Sequence, residues 1–350
     1  MAKVILITGC STGIGRDLAQ RLAQSGYTVV ATARKAEALE DLDVAMKLLL
    51  DVTQPESVRQ VVDCIIQRFG RIDALVNNAG YAQCGAIEEI SDDQVKQMFE
   101  VNFFGVMRMT RAVVPHMRRQ GAGQIINISS IAGKLVTPAN GSYSATKFAL
   151  EALSDALRME LCPFGIWVSL VEPGAIKTHF DQTVQAHAKE IFCNPASPYQ
   201  PLYRQYLQFS DAMRQQEPGP DVVSKVIQQA LEASKPKARY LAGVPFSSRL
   251  VLHLGDSVWD FVLRRMFKIT PAARHSFLYG EQNEIRNQYK SKNRRLELQA
   301  SLYPRRRGGY RDGDHYHHPV RRLHDCAAAL RRDSYRLVHV ISKQQDRWVD

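Results

Sequence analysis

Short apolar runs alternate with longer segments of helical spacing through the first half of the chain. Six of these runs are rich in β-branched residues and apolar at most positions, which is typical of strands buried on both faces of a parallel sheet. They are Val4–Thr8, Thr28–Ala33, Met46–Leu50, Ala74–Val76, Gln124–Ile128 and Ile166–Val171. The segments between them are long enough for the helical crossovers that parallel strands require. The alternation therefore predicts an α/β fold with a parallel sheet.

The same pattern continues beyond the sixth strand. Residues Asp221–Ala233 have helical spacing, and the short run Arg239–Ala242 predicts a seventh strand at the edge of the sheet. The predicted architecture is a doubly wound, seven-stranded parallel sheet of Rossmann type in three α/β/α layers. Because the periodicity fades beyond Pro271, we predict one domain over residues 1–270. A basic, partly disordered C-terminal extension is predicted over residues 271–350.

Two stretches of the predicted domain depart from this alternation. Residues His179–Gly219 show no regular spacing and are rich in aromatic side chains and prolines, so we predict a substrate lid there. The alternative is an insertion that packs on itself. Residues Val244–Ile269 are apolar with scattered basic residues. They suit a cover over a pocket or a subunit interface, and the alternative is peripheral contact with a membrane surface.

The formal charge of +11 is concentrated in the C-terminal extension. Residues 271–350 contain 17 Lys and Arg against 9 Asp and Glu, a net charge of +8. The basic character therefore says little about what the folded domain binds, and we expect no nucleic-acid partner. An RNA-binding or metal-binding extension is the alternative to a partly disordered one. The histidines 315, 317 and 318 lack partner cysteines at zinc spacing.

The cysteines of the chain are scattered, and none is spaced as in a disulfide framework or a zinc site. They are Cys10, Cys64, Cys84, Cys162, Cys193 and Cys326. We interpret them as small buried side chains in a reducing compartment. No apolar run reaches the length of a membrane span, and the run after Lys3 is too short for a signal peptide. We therefore expect a soluble, cytoplasmic protein with no bound metal.

A glycine-rich turn follows the first strand and opens a helical segment. Glycines in this position permit a tight turn and the close approach of a pyrophosphate, which the helix N-terminus attracts. The strand before the turn and the helix after it make the signal much stronger than a glycine triplet alone. The alternative is a glycine turn with no ligand. The residues predicted to bind a dinucleotide here are Gly9, Ser11, Thr12, Gly13, Ile14 and Gly15.

The end of the second strand distinguishes between two cofactors. An NAD site carries a carboxylate there for the ribose hydroxyls, whereas this chain has Arg34 and Lys35. Two cations suit a 2′-phosphate, so NADP(H) is favoured over NAD(H); the alternative is a pair of solvated loop charges. Asp51, after the third strand, is a candidate for the edge of the adenine ring. Asn78, Ala79 and Gly80 form a turn after the fourth strand. We predict that this turn lies beside the cofactor; the alternative is that its residues only form the turn.

The motifs of the first 180 residues, in their order and spacing, resemble those of the short-chain dehydrogenase/reductase family. They are TGCSTGIG at 8–15, DV at 51–52, NNAG at 77–80, VN at 101–102, SS at 129–130, YSATK at 143–147 and PGAIKT at 173–178. Within the family, the stretches YTVVATAR, VNFFG and YSATKFALEALSDALRMEL are most similar to the 17β-hydroxysteroid and retinol dehydrogenases. The resemblance implies a homo-oligomer, dimeric or tetrameric. It also adds further expected cofactor contacts, namely Val52, Pro173, Gly174, Ile176 and Thr178.

Tyr143 and Lys147 are spaced so that their side chains share one face of a helix. A tyrosine hydroxyl has an ordinary pKa near ~10, and a neighbouring cation lowers that pKa. We predict Tyr143 as the general acid/base of a carbonyl reduction, with Lys147 as its electrostatic partner and a ribose ligand. Ser130, after the fifth strand, is expected to donate to the substrate oxygen. The family resemblance gives Asn102 the role of holding a relay water; the alternative for Asn102 is to tie two backbone segments together. For the other three residues, the alternative is an ordinary place in a helix or turn.

These features together predict an NADP(H)-dependent oxidoreductase that interconverts a secondary alcohol and a ketone or aldehyde. The aromatic lid favours a bulky apolar substrate, steroid-like or retinoid-like. The residues predicted to contact it are Ser130, Tyr143, His179 and Phe180. The alternatives are a 3-oxoacyl thioester reductase of the same fold and a non-catalytic NADP-binding regulatory protein.

Overall fold

Seven parallel strands form one sheet in the order β3-β2-β1-β4-β5-β6-β7. The computed structural model describes residues 2–214, 217–244 and 256–269. The strands are β1 (Val4–Ile7), β2 (Thr28–Ala33), β3 (Met46–Leu49), β4 (Ala74–Asn77), β5 (Gly123–Ile128), β6 (Ile166–Pro173) and β7 (Arg239–Ala242). The predicted seven-stranded parallel sheet is therefore confirmed, including β7 at one edge. The strand order reverses between β1 and β4, which is where doubly wound folds bind their ligands.

Helices cover both faces of the sheet. They are α1 (Gly13–Gln24), α2 (Pro55–Phe69), α3 (Asp92–Phe99), α4 (Val106–Gln120), α5 (Gly141–Leu161), α6 (His179–Phe192), α7 (Gln200–Arg214), α8 (Asp221–Glu232) and α9 (Asp256–Met266). Alternate residues of β1 point to opposite faces: Ile5 packs in a core with α1 and α8, whereas Leu6 packs in a core with α2 and α4. This arrangement gives the three predicted layers.

The long helical segment predicted after Ser91 begins as expected but is interrupted in its middle. Ser91 caps α3 through a capping box, in which its Oγ accepts from the Gln94 backbone at 3.3 Å. A π-helical turn, Glu100–Gly105, then joins α3 to α4. Gly105 packs so tightly on Val52 that a Cβ there would lie 2.7 Å from a Val52 methyl group. Such turns often mark functional sites, and this one contains Asn102.

The stretch 179–219 was predicted to be irregular, and the structure corrects that prediction. Most of it forms the helices α6 and α7. Thr178 caps α6 by accepting a hydrogen bond from the Phe180 backbone at 3.2 Å. These helices were not predicted, because the prolines of the stretch were interpreted as helix breaks. Pro195 and Pro198 instead lie between α6 and α7, and Pro201 occupies the first turn of α7, where the missing N–H costs little.

Helix α9 belongs to the stretch predicted as a cover or interface. Its Trp259 indole donates to the Val136 carbonyl at 3.0 Å, which ties α9 to the loop before α5. None of the described helices is both long and apolar enough to cross a lipid bilayer. The predicted extension 271–350, with its arginine run and histidine cluster, lies outside the described residues. The domain boundary near residue 270 therefore stays a prediction.

The cysteines follow the sequence interpretation only in part. Cys10 and Cys84 are buried, and burial raises the pKa of the Cys10 thiol to about 12. Cys162 and Cys193 are exposed, because they lie at or just beyond the ends of α5 and α6. The interpretation of every cysteine as a buried side chain is therefore wrong for these two. Cys326 lies outside the described residues.

Candidate functional site

The turns after β1 and β4 are joined by hydrogen bonds at the point where the strand order reverses. The Thr8 hydroxyl accepts from the backbone N–H groups of Asn78 and Ala79, each at 3.0 Å. The Asn78 amide donates in return to the carbonyls of Thr8 and Gly9, both at 2.9 Å. Asn78 and Ala79 therefore hold the glycine turn in place. Thr8 is a site residue that the sequence reasoning did not single out.

The glycines of the turn are required by its geometry. Gly9 has a φ of +74° and Gly13 a φ of +61°, a region that favours glycine. A Cβ at Gly15 would clash with the Gly9 carbonyl oxygen and the Asn78 amide nitrogen. The backbone of the turn is thus as close-packed as a pyrophosphate-binding turn has to be.

The N-terminus of α1 has the properties of an anion site. Thr12 precedes the helix in extended conformation, and its side chain makes no capping hydrogen bond. The first turn contains no acidic residue. Ser11 and Thr12 are exposed, whereas Gly13 and Ile14 are half-buried. The free backbone N–H groups of this first turn and the helix dipole therefore suit a phosphate group. The residues present fit a dinucleotide cofactor.

Arg34 and Lys35 are exposed directly after β2. Burial raises the pKa of the Tyr81 hydroxyl, and the Arg34 charge opposes that shift. The Asp51 carboxylate accepts from the backbone and the hydroxyl of Thr53, at 2.9 Å and 2.7 Å. Both predicted contacts for the nucleoside end of the cofactor thus lie at the carboxyl ends of β2 and β3.

Tyr143 and Ser130 meet at the carboxyl end of β5. The Ser130 side chain lies near the Tyr143 hydroxyl and acts on its pKa. Ser130 Oγ accepts from the Ala132 backbone at 3.1 Å, which fixes the start of the loop that follows. Burial raises the pKa of the Tyr143 hydroxyl, and Ser130 partly offsets this. The structure therefore brings together the two side chains predicted to contact a substrate oxygen.

Lys147 lies one helical turn beyond Tyr143 on α5 and is buried. Its Nζ donates to the Ile128 carbonyl at 2.9 Å and lies 5.6 Å from the centroid of the Tyr143 ring. Burial lowers the pKa of Lys147 to about 8, and the Glu151 charge opposes that shift. The ammonium is thus held beside the tyrosine, as the spacing predicts.

Asn102 connects the π-helical turn to α5. Its amide donates to the Tyr81 carbonyl at 2.8 Å and to the Thr146 hydroxyl at 3.1 Å, and its oxygen accepts from the Tyr81 backbone at 3.0 Å. Thr146 in turn donates to the Tyr143 carbonyl at 2.7 Å. These bonds match the alternative role of tying backbone segments together. The role in holding a relay water stays a prediction. Gly80 faces this side chain, because a Cβ there would lie 3.1 Å from Asn102 Oδ1.

The turn after β6 closes the site on its other side. Gly174 donates to the Ala242 carbonyl at 2.9 Å, and Ile176 is buried beneath the turn. Thr178 reaches the glycine turn, since a Cβ at Gly13 would lie 3.3 Å from its Cβ. The Phe180 ring lies 6.0 Å from the Tyr143 ring, as expected of a substrate contact. The side chain of His179 lies outside the described residues.

Several site residues were missed by the sequence reasoning. Glu151 and Glu172 are buried carboxyls near Lys147, and Cys84 contacts the Tyr206 hydroxyl at 3.3 Å. Glu172 is the one carboxylate in β6, but the sequence does not show its partners, so it carried no signal of a role. Glu151 was detectable by its helical spacing of four from Lys147. The Cys84 contact has no sequence signal, because it joins segments more than a hundred residues apart.

Comparison with known proteins identifies the family. The family model described as short chain dehydrogenase matches residues 3–189. The chain is 47% identical over 178 residues to a 3-ketodihydrosphingosine reductase of Bacteroides thetaiotaomicron, covering 51% of this chain and 65% of that protein, just under two thirds of its length. It is 35% identical over 268 residues to human 17-beta-hydroxysteroid dehydrogenase type 1, covering 72% and 81%. Human retinol dehydrogenase 8 is 41% identical over 191 residues, covering 51% and 60%.

Solved structures agree with these matches. A short-chain dehydrogenase from Streptomyces avermitilis is 38% identical, with a TM-score of 0.60, covering 75% of this chain and 98% of that one. An alcohol dehydrogenase from Thermococcus sibiricus complexed with 5-hydroxy-NADP is 27% identical, with a TM-score of 0.56, covering 70% and 97%. A short chain dehydrogenase/reductase from Burkholderia phymatum in complex with NAD is 26% identical, with a TM-score of 0.64, covering 74% and 95%. The chain therefore belongs to the short-chain dehydrogenase family of oxidoreductases, with relatives among the 17β-hydroxysteroid and retinol dehydrogenases.

Proposed function

We propose that this protein is an NADP(H)-dependent oxidoreductase that interconverts a secondary alcohol and a ketone, or an aldehyde, on a bulky apolar substrate. The observation that carries the proposal is the meeting of Tyr143, Ser130 and Lys147 at one edge of the sheet. Ser130 lies near the Tyr143 hydroxyl and lowers its pKa, and the buried Lys147 Nζ lies 5.6 Å from the centroid of the tyrosine ring. Buried ionisable side chains with shifted pKa values that meet at one edge of a sheet are typical of functional sites.

The bound nicotinamide would supply or accept the hydride, and the protein residues would handle the proton. In reduction, the Tyr143 hydroxyl donates its proton to the developing alkoxide. Ser130 donates a hydrogen bond to the same oxygen and orients it. Lys147 stabilises the phenolate that remains, because a nearby cation favours the ionised form. Asn102 sets the position of α5 through Thr146 and is the candidate for holding the water that returns a proton to Lys147.

The preference for NADP(H) rests on Arg34 and Lys35. Solved relatives bind either nicotinamide cofactor, so family membership alone does not select one. Two exposed cations follow β2, at the position where NAD sites place a carboxylate. A 2′-phosphate adds roughly two negative charges and several acceptor oxygens, which an arginine fork matches well.

The substrate class rests on the aromatic surroundings of Tyr143. Phe180 lies beside the tyrosine ring, and α6 and α7 add a cluster of rings in which Phe192 stacks on Tyr203 at 4.5 Å. Such surroundings favour an apolar, ring-containing or long-chain ketone, steroid-like or retinoid-like. The 47% identity to a 3-ketodihydrosphingosine reductase favours a second candidate, a long-chain amino ketone. A 3-oxoacyl thioester remains the alternative within the same fold.

We also propose a homo-oligomer in the cytoplasm. Exposed aromatic side chains on the outer helical layer, Phe104 and Phe148, suit a subunit interface. Cys10, Cys64, Cys162 and Cys193 form no disulfide bond among the described residues, which suits a reducing compartment. Light scattering of the purified protein tests the first point, since a monomeric mass would contradict it. Fractionation of cells that express the protein tests the second, since recovery outside the cytoplasmic fraction would contradict it.

The test of the proposed function is a screen for NADPH consumption across carbonyl compounds of graded size. The panel contains small ketones, steroid ketones, retinal, 3-ketodihydrosphingosine and a 3-oxoacyl thioester. We expect turnover to increase with apolar bulk and NADPH to be preferred over NADH. Turnover restricted to the thioester would support the alternative activity. Cofactor binding without turnover on any compound would support a regulatory protein.

A further inference from the structure

Four charged side chains, one of them on helix α5 itself, form a cluster that has no part in the chemistry described above. They come from four different elements: the loop after Ser130, helix α5, the end of β6 and the start of β7. We call them the buried-charge cluster, which comprises Lys134, Glu151, Glu172 and Arg239. The two carboxylates are about 95% buried, with side-chain exposures of 6% and 5%. Buried carboxylates of this kind require an explanation, because desolvating a charge is costly.

Each cation of the buried-charge cluster contacts both carboxylates. Lys134 Nζ lies 3.0 Å from Glu151 Oε2 and 4.0 Å from Glu172 Oε1. Arg239 Nε lies 3.0 Å from Glu151 Oε2 and 3.2 Å from Glu172 Oε1. The Oε1 atoms of both glutamates are buried without a hydrogen-bond partner among the described residues. The two carboxylates are thus held together by shared cations and are not fully satisfied.

Further charges face the cluster from α5. Asp155 accepts from Arg239 at 2.7 Å and from Arg158 at 2.7 Å, and it is partly exposed. Lys147 lies one helical turn before Glu151 on the same face. The groups that determine the charge around Glu151 are therefore Lys134, Glu172, Arg239, Asp155, Arg158 and Lys147.

The cluster is directly coupled to the catalytic helix and its loop. A Cβ at Gly133 would lie 3.0 Å from the Ser129 hydroxyl and 3.1 Å from Glu151 Cγ, so the loop after Ser130 packs against Glu151. Glu172 immediately precedes the Pro173–Gly174 turn. A change of charge in the cluster therefore alters the electrostatic potential both at the loop after Ser130 and at the Pro173–Gly174 turn.

The two glutamates cannot both be ionised at low cost. Burial and the Glu151 charge raise the pKa of Glu172 to about 7, although Lys134 and Arg239 oppose the shift. Near neutral pH, a proton is therefore partly retained on the pair. For Lys147, burial favours the neutral form and lowers the pKa, and the charge of Glu151, four residues along the same helix, opposes that shift.

We propose that Glu151 is a positioning residue that keeps Lys147 in its ammonium form, and that Glu172 shares a proton with Glu151 so that both carboxyls tolerate burial. The consequence for turnover rests on the proposed function, because Lys147 has to be charged to stabilise the Tyr143 phenolate. Without Glu151, Lys147 loses its proton at lower pH, and carbonyl reduction declines earlier on the alkaline side.

The test follows the titration of Lys147 itself and does not require turnover. The full chain is labelled with carbon-13 at the lysine Cε positions, and Lys147 is assigned from the signal missing in Lys147→Arg. We expect a midpoint about one pH unit lower in Glu151→Gln than in the wild type. Asp155→Asn, which removes a carboxylate from the same helix and the same Arg239 contact, is the control and is expected to leave the midpoint unchanged. An unchanged midpoint in Glu151→Gln overturns the proposal.

A second variant covers a failure of Glu151→Gln to fold. Glu151→Met has similar length, and apolar replacements of buried ionic groups are often tolerated. It is expected to lower the Lys147 midpoint as the glutamine does. The role proposed for Glu172 is tested by the free energy of unfolding measured between pH 5 and 8. Because the pKa of Glu172 is raised to about 7 in the folded protein, the protein loses stability as the pH rises from the pKa of this group in the unfolded chain through about 7. The wild type is therefore expected to lose more stability over this range than Glu172→Gln, and parallel curves overturn this part.

The pH profile of ketone reduction then separates this inference from the proposed function. We expect the alkaline limb of the profile to shift in Glu151→Gln by the same amount as the Lys147 midpoint. A shifted midpoint in a protein that reduces no carbonyl compound would leave the positioning role intact and refute the proposed function. An active enzyme with the wild-type midpoint in Glu151→Gln would refute the positioning role alone.

Discussion

Opposing effects of the protein's own residues act on the pKa of the Tyr143 hydroxyl. Burial raises this pKa, and Ser130 lowers it. Lys147 Nζ lies 5.6 Å from the centroid of the tyrosine ring, and burial lowers the pKa of Lys147 to about 8. The effective acid/base group is therefore the coupled set of Tyr143, Lys147 and Ser130, with Glu151 behind it. Single substitutions in this set are expected to be non-additive.

At Arg34, one substitution tests the cofactor preference. Arg34→Asp exchanges a cation for a carboxylate at the end of β2, which repels a 2′-phosphate and suits free ribose hydroxyls. We expect the ratio of kcat/KM for NADPH over that for NADH to fall by about ten-fold or more, which corresponds to losing one charge-assisted contact. Arg68→Asp, an exposed arginine at the end of α2, is the control for the change in net charge. An unchanged ratio in Arg34→Asp would show that Arg34 does not contact the phosphate.

The roles of the buried carboxylates could not be predicted from the sequence. Tyr143, Lys147, Ser130 and Asn102 could be singled out because their residue types and spacing carry chemistry. Glu172 was passed over because an isolated carboxylate in an apolar strand has no meaning until its partners are known. Its partners Lys134 and Arg239 come from the loop after β5 and from β7, and only the fold brings them together.

The first turn of the sheet is the element on which cofactor binding depends most. Gly15→Ala places a methyl group against the Gly9 carbonyl and the Asn78 amide. We expect loss of NADPH binding by fluorescence titration and a destabilisation of about 1–3 kcal/mol. Gly26→Ala is the control, because a Cβ at Gly26 would meet no atom within 4 Å, although Gly26, unlike Gly15, has a positive φ. It is expected to cost about 1 kcal/mol and to leave binding intact. Equal binding by both variants would contradict the tight-turn account.

Helices α6 and α7 are the elements proposed to cover the substrate. Tyr203 is buried, and its hydroxyl accepts from the Ala86 backbone at 2.9 Å and donates to Glu89. Tyr203→Phe leaves the Ala86 N–H without its acceptor, at a cost of about 1–3 kcal/mol. We expect KM for bulky ketones to rise while kcat for small ketones changes little.

The matched control for that experiment is Tyr199→Phe. Tyr199 donates to Glu88 at 2.7 Å in an exposed position, so its loss is expected to change stability by about 0.5 kcal/mol or less. Similar effects of both variants on KM would show that the buried hydrogen bond does not hold the lid. A rise in KM for small and bulky ketones alike would show that α7 does not discriminate substrate size.

At the element scale, periodicity predicted the strands better than the helices around the site. All seven strands were placed to within two residues, because short, continuous apolar runs bounded by turn residues are typical of buried parallel strands. The π-helical turn at Glu100–Gly105 was not predicted, and the close packing of Gly105 on Val52 within it joins segments far apart in the sequence. Helices α6 and α7 were missed because prolines and polar residues were counted as breaks, although the prolines lie between the helices or in a first turn.

For the whole molecule, the predicted division at about residue 270 is open to a direct test. The described site residues all lie before that boundary, and residues 271–350 carry a net charge of +8. We expect a chain ending at residue 272 to keep its circular dichroism spectrum, its melting temperature and its kcat. The full chain, purified in the same way, is the control. Loss of folding or of turnover on truncation would show that the extension belongs to the catalytic unit.

Whole-molecule architecture followed from few sequence observations because topology constrains the rest. Alternating strands and helices leave a doubly wound sheet as the simplest solution, and ligand binding at the reversal of strand order follows from it. The substrate does not follow in the same way. It depends on how α6, α7 and α9 pack on the domain, and contacts such as Trp259 with Val136 join segments far apart in sequence.

The most direct test of the account is turnover in Tyr143→Phe, measured with the best substrate from the carbonyl screen. The variant loses the proton donor but keeps the ring beside Phe180 and Lys147. We predict that kcat falls by about 10²–10⁴-fold while NADPH binding is retained, with Tyr27→Phe as a remote control that keeps full activity. A Tyr143→Phe protein that reduces the ketone at the wild-type rate would contradict the assignment of Tyr143 as the general acid.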